Sequence, residues 1–271
     1  MGYIPENSEI DKRITMRLGF IGTGKITSAL VTGLCTADNS PTSIYLSPRN
    51  IDRATSLRNT FDQIVIGHDN QDVIDHCDWV FLAVLPQSAE TILSSIKFHK
   101  HQKILSLMAT ISVDSLINLV APASDIVRVV PLPTAAQHLG PIALCPPDFE
   151  IKQLMNEVGN VVEVTEEHDL YALWSVTSLM APYFELLRTT IEWLIREGVS
   201  KDLAHQYVLS MFHGLSTLAK ETESIQFDPF VKDHQTPGGL NEQVIKSLTQ
   251  DNWYSLVENI LDVIRRRMNG K

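Results

Sequence analysis

Two short stretches carry residue types and spacings that could do chemistry. The first is Gly22-Thr23-Gly24-Lys25-Ile26, which follows the apolar run Leu18-Gly-Phe-Ile21 and precedes a segment with helical apolar spacing. Gly22 permits a tight turn, and Gly24 lets a ligand approach the backbone closely. The N–H groups that open the helix then face negative charge, the order a dinucleotide pyrophosphate requires. The third position of that fingerprint is Thr27 rather than Gly or Ala. The same residues therefore also read as an ordinary strand-to-helix turn.

The second stretch is Thr236-Pro-Gly-Gly-Leu-Asn241. Thr236 has the character of an N-cap and Pro237 that of a first-turn proline. Gly238 and Gly239 are poor helix formers, each about 1 kcal/mol worse than Ala in a helix. A substrate carboxylate on the N–H groups of Gly238, Gly239 and Leu240 would give two glycines a purpose at a helix start. The alternative is a plain capped turn. His234, two residues earlier, is either a proton donor or a solvated loop histidine.

Between these stretches lie three segments at strand ends, where ligands of open α/β sheets bind. Ser47-Pro48-Arg49-Asn50 stands where an adenosine ribose would lie and carries no acid. An arginine there accommodates a 2′-phosphate, so NADPH is expected over NADH, with a solvated turn arginine as the other reading. Ala83, Val84, Leu85, Pro86 and Gln87 close an apolar strand and begin a helix, with Pro86 in the tolerated first turn. Ala109 and Thr110 follow the next strand and would border the same cofactor, unless they are ordinary loop residues.

The elements that must position these residues alternate. Strands are predicted at 43–47, 79–84, 103–108 and 126–130, with helices at 52–59, 87–96 and 112–119. Trp79-Val-Phe-Leu-Ala-Val84 is continuously apolar, as a strand covered on both faces requires. Segments 142–145 and 161–164 are expected to extend the sheet. From His168 onward the apolar spacing is helical, over 168–198, 201–222, 241–248 and 253–268. The expected fold is α/β. It comprises an extension (1–15), a doubly wound Rossmann sheet (16–165) and an all-α substrate and dimerisation domain (166–271).

Composition narrows the class. The formal charge of −10 argues against a nucleic-acid surface. The one dense basic run, Arg265-Arg266-Arg267, falls at a predicted helix C-terminus, where the macrodipole favours cations. Cys35, Cys77 and Cys145 lack metal-ligand spacing and suit a reduced, cytoplasmic protein; the histidines are scattered, so no metal is expected. No apolar run is long enough to span a membrane, and residues 1–15, ahead of Met16, have no signal-peptide core.

Taken in order, these motifs resemble the pyrroline-5-carboxylate reductase family, from about Met16 to the C-terminus. The resemblance implies a Rossmann domain, dimerisation through intertwined helices, and hydride transfer from NAD(P)H to a cyclic imine. It also implies that the Pro-Gly-Gly turn holds the substrate carboxylate. The chain departs from the family pattern at Lys25 (usually Asn) and Leu85 (usually Lys). It departs again over Val130-Pro-Leu-Pro-Thr-Ala135, Thr177–Tyr183 and Asn241, where the family has a hydroxyl that bonds the imine nitrogen.

The reading that follows is reduction of Δ1-pyrroline-5-carboxylate to proline with NADPH (NADH as the alternative donor). Asn241 would hold the nitrogen, and the enzyme would be a homodimer or higher oligomer. Leu85 and Leu132 would make the pocket more apolar, so a bulkier imine or a 2-oxo acid is a rival substrate. A catalytically silent NADPH sensor is the rival from another class. The double glycine counts against it.

Overall fold

The computed structural model describes residues 16–108, 110–222 and 226–268. The expected extension 1–15 and Ala109 lie outside them. Eight strands form one sheet: β1 (Arg17–Ile21), β2 (Ser43–Leu46), β3 (Ile64–Ile66), β4 (Trp79–Leu82), β5 (Lys103–Ser106), β6 (Asp125–Val130), β7 (Pro141–Cys145) and β8 (Asn160–Glu163). Their order is β3-β2-β1-β4-β5-β6-β7-β8. The first six strands are parallel and follow the dinucleotide-binding order 3-2-1-4-5-6. β7 is antiparallel to β6, and β8 parallel to β7, so the expected extension of the sheet includes one reversal.

Strand direction and helix crossover cover both faces. α1 (Lys25–Thr36), α2 (Ile51–Thr60) and α6 (Phe149–Asn156) supply Leu30, Leu57 and Ile151 to a core that includes Phe20, Phe81 and Leu105. α3 (Asn70–His76), α4 (Pro86–Leu93) and α5 (Val113–Leu119) supply Ile74, Leu93 and Leu116 to the opposite face, with Ile21, Val80 and Leu82. Neighbouring residues thus serve opposite cores: Phe20 one and Ile21 the other. Phe20 and Phe81 stack across paired strands, with ring centroids 4.3 Å apart. The helices start where side chains accept orphan amides: Asp69 from Asp72, Ser112 from Ser115, and Asp148 from Ile151.

β3, α3 and α6 go beyond the elements expected from sequence. The strand Ile64–Ile66 is only three residues long, too short to show a period of two.

The chain forms two compact units, which divide at Trp174 and Ser175 with Met268 returning to the first. That division falls within α7 (Glu167–Val176). The second unit contains α8 (Met180–Arg196), α9 (Lys201–Glu221), α10 (Asp228–Asp233), α11 (Leu240–Gln250) and α12 (Trp253–Met268). α8 and α9 pack together as a hairpin whose turn carries Gly198 at φ +91°. Among the described residues of this unit the buried apolar side chains are Leu187, Ala204 and Val208. Phe184, Leu203 and Tyr207 are each more than half exposed. No described helix is long and apolar enough to cross a membrane.

Candidate active site

At the end of β1 the backbone turns through Gly22 at φ +103°. A Cβ there would lie 2.5 Å from the Ala83 carbonyl oxygen, so both conformation and space require glycine. Gly24 is different. Its backbone is extended, and a Cβ would meet no atom within 4 Å. Nothing inside the protein demands glycine at 24, whereas a ligand lying on the backbone would. The turn is held by Thr23, whose hydroxyl donates to the Ser47 carbonyl at 2.8 Å. Thr27 donates to the Gly22 carbonyl at 2.7 Å and is fully buried. That bond satisfies the hydroxyl and explains how threonine fits the third fingerprint position.

α1 begins without a side-chain cap and without an acid in its first turn. Lys25 stands at its first position, against the usual macrodipole preference. The opening amides of Lys25, Ile26 and Thr27 have no intrahelical acceptors. A bound anion would satisfy them and reverse the sense of the Lys25 charge. The residues fit a dinucleotide pyrophosphate.

Beside this turn, an open cleft of about 450 Å³ is lined by Pro48, Arg49, His68, Asn70, Gln87 and Thr91 among others. Of the residues expected to meet the ribose, Ser47 is buried, and its hydroxyl donates to Asn70 Oδ1 at 2.7 Å. Asn50 caps α2 by accepting from the Arg53 amide. Arg49 is exposed on the cleft wall. Asp69 shares the cleft, with its carboxylate accepting from the Asp72 amide at 2.9 Å. His68, Asn70 and Thr91 were missed from sequence because they follow or flank the short strand β3 and the helix α4. The N-cap pattern of Asp69 was the available signal.

Ala83 and Val84 sit where β4 ends, and the Ala83 amide donates to the Ile21 carbonyl at 2.9 Å. Leu85 caps the start of α4 and is 60% exposed, Pro86 opens the helix, and Gln87 reaches the cleft. Thr110 is exposed in the turn after β5. Behind it lies a group that sequence reading passed over. Arg128, in the middle of apolar β6, is fully buried and reaches Glu167 Oε1 at 2.5 Å. Its guanidinium lies 4.7 Å from the Tyr171 ring centre and 5.5 Å from that of Trp174. An arginine interrupting Ile126-Val-Arg-Val-Val130 was the visible signal.

In the helical unit, Thr236–Gly239 is a turn rather than a helix start. The Gly239 amide donates to the Thr236 carbonyl at 2.7 Å, and Gly238 has φ +73°. Pro at the second and Gly at the third position are the requirements of a type II turn. The expected N-cap at Thr236 is thereby corrected: α11 begins at Leu240 with Gly239 as its cap. The Gly238 amide donates to Glu242 Oε2 at 2.7 Å, and Lys246 donates to Glu242 Oε1 at 2.9 Å. Lys246 first, then the Gly238 amide, holds the Glu242 carboxyl below its ordinary range. Asn241 donates from Nδ2 to the His234 carbonyl at 3.0 Å. The His234 ring donates in turn from Nδ1 to the Phe230 carbonyl at 2.8 Å.

The description "NADP oxidoreductase coenzyme F420-dependent" matches residues 17–110, and "Pyrroline-5-carboxylate reductase dimerisation" matches residues 167–270. The helical half of the chain therefore matches the dimerisation model of the pyrroline-5-carboxylate reductase family. The family's reductase from Corynebacterium melassecola is 28% identical over 218 residues, covering 76% of this chain and 80% of that one. The fold matches the 1-pyrroline-5-carboxylate reductase of Streptococcus pyogenes with a TM-score of 0.82 at 22% identity, over 95% of this chain and 99% of the other. The NADP-bound pyrroline carboxylate reductase of Plasmodium falciparum gives the same TM-score at 20% identity, over 95% and 98%. Among the described residues no group of three or more His, Cys, Asp or Glu could hold a metal ion.

Proposed function

We propose that this chain reduces a cyclic imine with NADPH, converting Δ1-pyrroline-5-carboxylate to proline. The observation that supports this reading is Gly24, a glycine that no internal clash requires, at the start of α1 in a chain whose helical half matches this family's dimerisation model. Bound NADPH would supply the hydride. Gly22–Ile26 would hold its pyrophosphate, and Arg49 its 2′-phosphate in the cleft. Ala83–Gln87, Ala109 and Thr110 would border the rest of the cofactor.

The substrate's carboxylate would take the Leu240 amide and, once Glu242 withdraws, the Gly238 amide; Thr236 and Gly239 shape the turn. Asn241, with one Nδ2 hydrogen on the His234 carbonyl, offers Oδ1 as an acceptor. That oxygen suits the N–H of a protonated imine. The proton already on nitrogen makes the C=N carbon electrophilic, so no strong general acid is needed and the residues contribute chiefly orientation.

We also infer a homodimer formed through the helical unit, supported by its few buried apolar side chains and by the dimerisation match. The test is NADPH oxidation with Δ1-pyrroline-5-carboxylate, Δ1-piperideine-2-carboxylate and pyruvate in parallel. Preferred turnover of the pyrroline is expected. NADPH binding without pyrroline turnover would overturn the substrate.

A further inference from the structure

In the substrate turn, the protein already supplies a carboxylate of its own. Glu242 Oε2 takes the Gly238 amide, and Lys246 anchors the other carboxylate oxygen. The next amide, that of Gly239, closes on the Thr236 carbonyl. Two of the three donors expected for a substrate carboxylate are therefore engaged within the turn. Beside the turn stand the acceptors of the Glu242 carboxylate, 27% exposed and paired with Lys246, and of the exposed Asn241 side chain. A carboxylated substrate must move Glu242 off Gly238 and tolerate a like charge beside it. An uncarboxylated cyclic iminium meets neither obstacle, and its positive charge matches the acceptors.

We propose that Glu242 is a specificity-determining residue, an internal carboxylate that competes for the Gly238 amide and widens the substrate class to cyclic imines without a carboxylate. The inference rests on the imine reductase reading above. The chemistry is unchanged. The protonated imine carbon accepts hydride from NADPH, the C=N π pair becomes the nitrogen lone pair, and amine and NADP⁺ result.

The test compares kcat/KM for Δ1-pyrroline-5-carboxylate and for 2-methyl-1-pyrroline in the wild type, Glu242→Ala and Glu242→Gln. Because both substrates are measured on one preparation, the ratio is insensitive to partial unfolding. In Glu242→Ala the ratio is expected to move toward the carboxylated imine by about tenfold, mainly through KM. Glu242→Gln, which loses the charge but keeps an acceptor, should fall between. Turnover with an unchanged ratio in both variants overturns this inference alone. Turnover of neither imine by the wild type overturns the reductase reading and this inference with it.

Discussion

The buried guanidinium of Arg128 and the carboxylate of Glu167 together tie down both ends of the loop that follows β5. Arg128 donates to the Met108 carbonyl at 3.3 Å, where the loop begins. Glu167 Oε1, which accepts from Arg128, also accepts from the Val113 amide at 3.2 Å, where the loop ends. Removing Glu167 leaves a fully buried cation against Tyr171 and Trp174. Glu167→Ala is expected to destabilise the chain by about 2–3 kcal/mol, below the roughly 3–5 kcal/mol of a fully buried pair because Glu167 is partly exposed. Replacing both partners, as Arg128→Met with Glu167→Leu, should recover much of that loss. Urea unfolding of the three proteins decides it; a double variant no better than Glu167→Ala would refute the account.

Gly22 is a glycine the fold needs, and Gly24 is one that no internal clash requires. Gly22→Ala places a side chain at φ +103° and 2.5 Å from the Ala83 oxygen. A loss of about 1–3 kcal/mol of stability is expected from that strain. Gly24→Ala should leave stability within about 0.5 kcal/mol of wild type, since its Cβ enters open space. NADPH affinity measured by calorimetry should nevertheless fall at least tenfold. Equal stability with unchanged affinity would remove Gly24 from the cofactor site.

The same contrast shows how far the sequence could be read. The strand, turn and helix at 17–36 were legible because the apolar runs are long enough to show their periods and glycine punctuates them. Ile64–Ile66 was not, because three residues show no alternation. At Thr236 the wrong element was assigned. Thr-Pro-Gly-Gly satisfies both a capped helix start and a type II turn, and the Gly239-to-Thr236 bond and the positive φ of Gly238 separate them. Ser47 and Asn50 lay in the expected place, but their side chains serve Asn70 and the Arg53 amide. Residue type and spacing locate a side chain; they do not reveal which partner already holds it.

Arg49 is the exposed cation of the cleft beside the dinucleotide turn. If it receives the 2′-phosphate, Arg49→Ala should weaken NADPH by about 10- to 100-fold, the range for a charge-assisted hydrogen-bonded pair. NADH, which lacks that phosphate, should be nearly unaffected. The ratio of the two KM values is the measurement, and a parallel loss for both cofactors would refute the role.

Asn241 is proposed to act on the substrate alone. Asn241→Ala removes the proposed acceptor for the protonated nitrogen together with the bond to the His234 carbonyl. A fall in kcat of about 10- to 100-fold is expected from lost orientation, with NADPH affinity unchanged. Asn241→Asp, which keeps an acceptor, should retain more activity than alanine. Loss of cofactor binding in either variant would sink the assignment.

The cysteines provide a pH-dependent check on the Rossmann unit. Burial pushes the thiols of Cys35 and Cys77 from 9.0 up to about 12, and raises Cys145 in the same direction. In the unfolded chain each thiol ionises near its ordinary value, before its folded counterpart does. Stability contributed by the neutral thiols is therefore complete below pH about 9 and is lost as pH rises toward 12. Cys77 is packed against Gly19, whose Cβ would lie 2.8 Å from its sulfur, so ionisation there cannot be relieved by a small shift. Urea midpoints of the wild type should fall from pH 9 to 11 more steeply than those of Cys35→Ala with Cys77→Ala. At pH 8 a disulfide reagent should label the folded chain slowly and the urea-unfolded chain fast. Rapid labelling of Cys77 in the folded state would contradict its burial.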